Sequence, residues 1–222
     1  MTELPRIRAA RWKERHQIAR LVAAALNPSA LAGWLVTRAE LCLPVLSAVA
    51  DIWVEHALFF GDIQVTDDLT AATVGLHRFR PLPPPANYPE RLTDATGPYL
   101  PRFRDLDSLL EAHRPVEPHH HLTVLATPPD DATGLDEAML NHYLTRIDRT
   151  GMPSWAHVTV RDRDLFIRHG YQLTAPIRLP DGPTLLGMHR PAGSGRRWPS
   201  NPIHAGTRPD PPAASPPAAT TR

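Results

Sequence analysis

"HHLTVLATPPDDATGLDEAML", His120 to Leu140, reads as a strand, a short loop and the start of a helix. The apolar content of "HHLTVLAT" predicts a central strand. From Gly134 on, Leu135, Ala138, Met139, Tyr143 and Ile147 recur at helical spacing, which predicts a helix over 134–149 ended by Gly151 and Pro153. Such a junction offers free backbone N–H groups and the positive end of a helix dipole, a natural seat for an anion. Yet Asp130, Asp131, Asp136 and Glu137 crowd it, and no Lys or Arg occurs between Pro115 and Thr145. A carboxylate ~6 Å from a phosphate charge costs roughly 0.7 kcal/mol in water-like surroundings and ~3 kcal/mol at an effective dielectric of 20. "TGLD" also has the spacing of a capping box, with Thr133 as N-cap and Asp136 three residues on. The junction is therefore either a phosphate loop or a helix capped by the protein's own acids.

Outward from this centre, "SWAHVTV" (154–160) alternates as a strand, and "RDRDLFIRHG" (161–170) is a short helix closed by glycine. "YQLTAPIRL" and "TLLGMHR" are the last strands, joined at Pro180–Pro183. Toward the N-terminus, "RIRAA" is a short strand. A helix over 13–26 follows and ends at Pro28. A second helix over 39–60 buries Cys42, Val45, Leu46, Val49, Ile52, Trp53 and Phe60, with Pro44 near its start and Gly61 at its end. "DIQVT" and "AATVGLHRF" are two strands. The order β α α β β, insertion, β α β α β β predicts an α/β fold of three layers, a central mixed sheet flanked by helices.

Of 26 prolines, nine fall between Pro81 and Pro118 and eight after Arg190. The first group marks an insertion over 79–118 with one helix, "PRFRDLDSLLEAH", of the kind that covers a binding site or merely crosses the surface. The second marks 191–222 as a disordered tail, leaving one domain over 1–190. A net charge of +1 gives no field directed at nucleic acid or an acidic membrane. The one cysteine, Cys42, fits a reducing cytoplasm. The sequence reads as having neither a signal peptide nor a stretch long and apolar enough to span a bilayer. The expected partners are a small-molecule substrate, no nucleic acid and no membrane, with a homodimer allowed.

From Thr123 to Arg190 the chain resembles the second half of a GNAT-family (GCN5-related) N-acetyltransferase, most specifically at "LFIRHGY", Leu165 to Tyr171. The resemblance implies acetyl-CoA as cofactor. The strand end at Val124, Leu125, Ala126 and Thr127 would hold the pantetheine arm, and Thr133, Gly134 and Leu135 the diphosphate. Of the family's loop pattern only Gly134 matches; Asp131 and Asp136 stand at the other two positions. The family's thiolate-protonating tyrosine corresponds to Phe166, which has no proton to give, and a frequent asparagine to Asp162.

Acyl transfer to an ammonium needs a base, and histidine suits that near neutral pH. His157 is the first candidate and His121 the second; the alternative is a hydrogen-bonded structural histidine. Glu55 and His56 on the long helix are candidates for lining a substrate cleft, and His77 lies on a strand that in the resembling family often lines the acceptor site. "HHH" (119–121) lacks accompanying ligand spacing, so no metal site is expected. The leading function is acyl-CoA-dependent N-acyl transfer to a small-molecule amine. The alternatives are a GNAT-fold biosynthetic enzyme repurposed for CoA-independent acid/base chemistry and a non-catalytic ligand-binding protein.

Overall fold

The computed structural model describes residues 5–129 and 133–193. Of the four acids of the junction, Asp130 and Asp131 lie outside the described residues, as does most of the expected tail.

Strand β1 (Ile7–Ala9) leads through a 3-10 turn into α1 (Arg15–Leu26), α2 (Ala30–Leu35) and α3 (Ala39–Phe60). Strands β2 (Gly61–Thr66) and β3 (Ala72–Arg78) follow, then α4 (Tyr88–Thr96) and α5 (Leu100–Ala112) within the proline-rich insertion. The second half is β4 (His119–Ala126), α6 (Leu135–Ile147), β5 (Ser154–Val158), α7 (Arg163–Arg168), β6 (Gln172–Leu173), β7 (Ile177–Arg178) and β8 (Thr184–Arg190). The strands form a mixed sheet in the order β1-β2-β3-β4-β5-β8-β6, with β7 also on β8. Only the β4–β5 pair is parallel.

Helices cover both faces, as the element order predicts. On one, Ile18 and Val22 of α1 and Ala50, Val54 and Ala57 of α3 pack on Ile63, Val65 and Val74. On the other, Leu140, Tyr143 and Ile147 of α6 and Phe166 of α7 pack on Leu122, Ala156 and Met188. A third cluster joins α2, α4 and α5 to the sheet's far end through Trp34, Leu92, Phe103, Leu106 and Ile177. At the α3–β2 joint a Cβ on Gly61 would lie 1.8 Å from the Gly75 carbonyl oxygen, so the crossover admits only glycine.

Four details depart from the sequence reading. α2 and α4 are additional helices. "YQLTAPIRL" is broken into β6 and β7, since Pro176 offers no N–H to the ladder. α6 begins at Leu135 with Gly134 as its N-cap, at φ +76, so Thr133 is not the cap residue of a box. The expectation that no stretch could span a bilayer is corrected by α3, which at 22 residues is long and apolar enough by length and composition. Its place is on α1 and the sheet, and its Asp51 and Glu55 both pair with Arg15.

Candidate functional site

The site follows from the one parallel pairing. β4 and β5 are in register only over His120–Leu122 and Ser154–Ala156. β4 runs on to Ala126 and β5 to Val158 without further pairing to each other, so the strands splay. Backbone groups of β4 past Leu122 thus face a wedge rather than a neighbouring strand. The wedge opens into a cleft of about 550 Å³, closed on the far side by α3 and by the insertion with Pro83–Pro85, α4 and α5. The proline-rich segment is therefore a wall of this cleft.

His121 of β4 and His157 of β5 meet on the cleft wall, ring centroids 5.3 Å apart. Alternation along each strand brings Thr123 and Thr159 to the same opening. His121 Nδ1, His157 Nδ1, Thr123 Oγ1 and the Nε of Arg78 are buried without a hydrogen-bond partner. Burial pushes the His157 imidazole down to about 4, helped by His113, His119 and Arg78. It pushes His121 well below the usual range, with His157, Arg78 and His119 adding to the effect. Both rings are neutral at pH 7 and each carries a lone pair.

The α5 side of the cleft was not legible as a site. Tyr88 donates from its hydroxyl to Asp107 Oδ2 at 2.7 Å. Burial raises the Asp107 carboxyl above its ordinary value, while the Tyr88 hydrogen bond opposes this. The only sequence signal was the position of Tyr88 and Asp107 inside a long insertion.

Other candidates are placed elsewhere. Glu55 is off the cleft wall, its carboxylate held by Arg15 and by Arg91 at 2.7 Å. His77 turns to the α6 face, where it stacks on Phe79 and meets His120 edge-on. His56 is on the wall and bonds the Pro83 carbonyl at 2.9 Å. His119 and His121 rings are 6.0 Å apart, and among the described residues no group of three or more His, Cys, Asp or Glu is placed to hold a metal ion.

Of the residues expected around CoA, Val124 and Leu125 line the cleft. Ala126 is fully buried in the α1–α3 core, and Thr127 follows it at the strand end. Thr133 and Gly134 lead into α6, and Leu135 packs on Ala71 and Met139. A Cβ on Gly134 would meet nothing within 4 Å, so glycine is favoured there by its positive φ rather than by crowding. Past Leu122 the β4 backbone is not paired to β5, which is the kind of opening a pantetheine arm would need. At the diphosphate corner the Glu137 N–H already donates to Asp136 Oδ1 at 2.6 Å, so one of the helix's free donors is spent on its own acid. Phe166 lines the cleft against Tyr171, whose hydroxyl is engaged by Ser154 at 2.7 Å.

The fold is that of the GCN5-related N-acetyltransferases. Among solved structures the chain is similar to a "histone acetyltransferase HPA2 and related acetyltransferase" from Corynebacterium glutamicum, with TM-score 0.65, 20% identity, and 86% of this chain and 98% of that one covered. It is also similar to a Drosophila melanogaster polyamine N-acetyltransferase that forms N-acetylagmatine (TM-score 0.57, 16% identity, 83% and 98% covered). A third is arylalkylamine N-acetyltransferase 2 from Aedes aegypti (TM-score 0.54, 11% identity, 85% and 99% covered). No family model matches the sequence.

Proposed function

We propose that the chain is an N-acyltransferase that takes an acyl group from acyl-CoA and passes it to a small-molecule amine. The observation that carries this reading is the β4–β5 splay opening onto His121 and His157. The fold of amine-acetylating neighbours supports it. Acyl-CoA supplies an activated thioester. The backbone of β4 around Val124 and Leu125 holds the pantetheine arm, and Gly134 with the first turn of α6 receives the diphosphate, weakly because of Asp136. His157 takes the proton released as the amine nitrogen bonds to the acyl carbon and the C–S bond breaks. The departing sulfur recovers a proton from solvent, since Phe166 has none to give. A backbone N–H of β4 polarises the carbonyl oxygen. Residues 5–190 act as one domain, with the 79–118 insertion as its substrate-side wall.

A second reading, CoA-independent acid/base chemistry in the same cleft, is favoured by the Asp136–Glu137 contact and by Phe166. Acetyl-CoA titration separates the two. Ligand at a hundred times its dissociation constant is expected to add about 2.7 kcal/mol to stability. A folded protein whose melting temperature does not move at millimolar acetyl-CoA would rule out the acyl-CoA reading.

A further inference from the structure

Among the described residues the half-buried arginines are paired, with one exception. Arg8, Arg15, Arg91, Arg114 and Arg190 each meet a carboxylate, and Arg102 meets the Trp34 carbonyl. The Arg78 side chain makes no hydrogen bond or ion pair among the described residues, and its Nε is buried without a partner. Burying the Nε of a guanidinium without an acceptor is costly, and the group cannot shed its charge. Burial lowers its pKa, and Arg114 adds repulsion. The opposing carboxylate, Glu111, is already bound to Arg114.

Its position gives the missing acceptor a meaning. Arg78 lines the cleft. On β3 it pairs in register with His119, two residues beyond the Leu76↔His121 pair. One strand repeat is ~7 Å, so Arg78 and His121 share a sheet face a single repeat apart. His157 Nδ1 and Trp155 Nε1, also without partners, belong to the same face.

We propose that Arg78 receives a carboxylate carried by the acceptor, which makes that acceptor an amino acid or a similar amine-carboxylate rather than a simple amine. This rests on the acyl-transfer reading for the role of the amine, but the carboxylate seat stands on Arg78 itself. A guanidinium fork matches a carboxylate in plane and spacing. The wall also carries Asp107 and Glu111, which suits one negative charge better than a doubly charged phosphate. Apolar wall residues, among them Leu31, Leu35, Trp53, Leu106 and Leu110, suit an apolar or aromatic side chain on the acceptor.

The test compares apolar and aromatic amino acids with their methyl esters and with the corresponding decarboxylated amines. Melting-temperature shifts are read without acyl donor, and kcat/KM with acetyl-CoA. The free acids are expected to bind and react about 10- to 100-fold better, the range for hydrogen bonds to a charged group. Arg78→Gln should erase that preference, and Arg78→Lys should restore part of it, while the acetyl-CoA shift is unchanged. Esters or amines matching the acids in the wild type would overturn the inference, and that comparison decides even if the variants fail to fold. So would an acid preference that survives in a folded Arg78→Gln. Acid-selective binding that depends on Arg78, without any acyl transfer, would keep the carboxylate seat and remove the acyl-transfer reading. Turnover of simple amines with no preference for acids would do the reverse.

Discussion

In the proposed mechanism His157 would act as a base from an unusual starting point. Burial holds it at about 4, so it is deprotonated throughout the physiological range and ready to accept a proton. The same burial makes it a weak base, and the proton it takes is quickly passed on. His157→Ala is therefore expected to lower kcat by roughly 10²–10⁴ with little change in the acceptor's KM. The pH–rate profile of the wild type should show no limb from this histidine between pH 5 and 8. A limb near pH 6.5 that vanishes in the alanine variant would contradict the burial. Sequence reasoning singled out His157 and His121 by their residue type and their strands, and the structure brings the two rings together on the cleft wall. It could not tell that Glu55 lies off the cleft wall or that His77 faces α6, because Glu55 is held by Arg15 of α1 and Arg91 of α4 and His77 meets His120 of β4, all distant in the chain.

Elements were legible where periodicity was long. α1, α3 and α6 follow their apolar spacing, and β5 alternates buried and half-buried residues along its length. α2 and α4 were missed because each is short and framed by proline or glycine, with too few turns to repeat a pattern. The α3–β2 joint shows how elements constrain one another. Gly61 is conformationally ordinary, with an extended φ of −151, yet β3 approaches so closely that no side chain fits. Gly61→Ala is expected to destabilise the fold by roughly 3 kcal/mol through overpacking against backbone, measured by chemical denaturation. A loss under about 0.5 kcal/mol would mean the joint relaxes freely.

Across the whole molecule, four histidines on and behind the cleft, His119, His120, His121 and His157, are all held below their ordinary pKa, in each case chiefly by burial. A histidine with a depressed folded pKa binds protons more readily when unfolded. Stability is therefore full above about pH 6.5 and is lost as pH falls from there toward about 4 for His120 and His157. Each contributes a slope of up to ~1.4 kcal/mol per pH unit in that window. Denaturation midpoints should fall as pH is lowered from 7 to 4, and His120→Gln should flatten part of that dependence. A stability independent of pH over that range would mean these rings titrate normally.

What the sequence determined by itself was the α/β layering, the strand–loop–helix junction at Gly134 with its crowd of acids, and the two histidines fit for base chemistry. These depend on local period and residue type. What only the tertiary structure decided was the splay of β4 from β5, the insertion closing the cleft, and the isolation of Arg78. Those depend on which distant strands pair and for how many residues, and on whether an arginine meets a carboxylate in space, which no local pattern records.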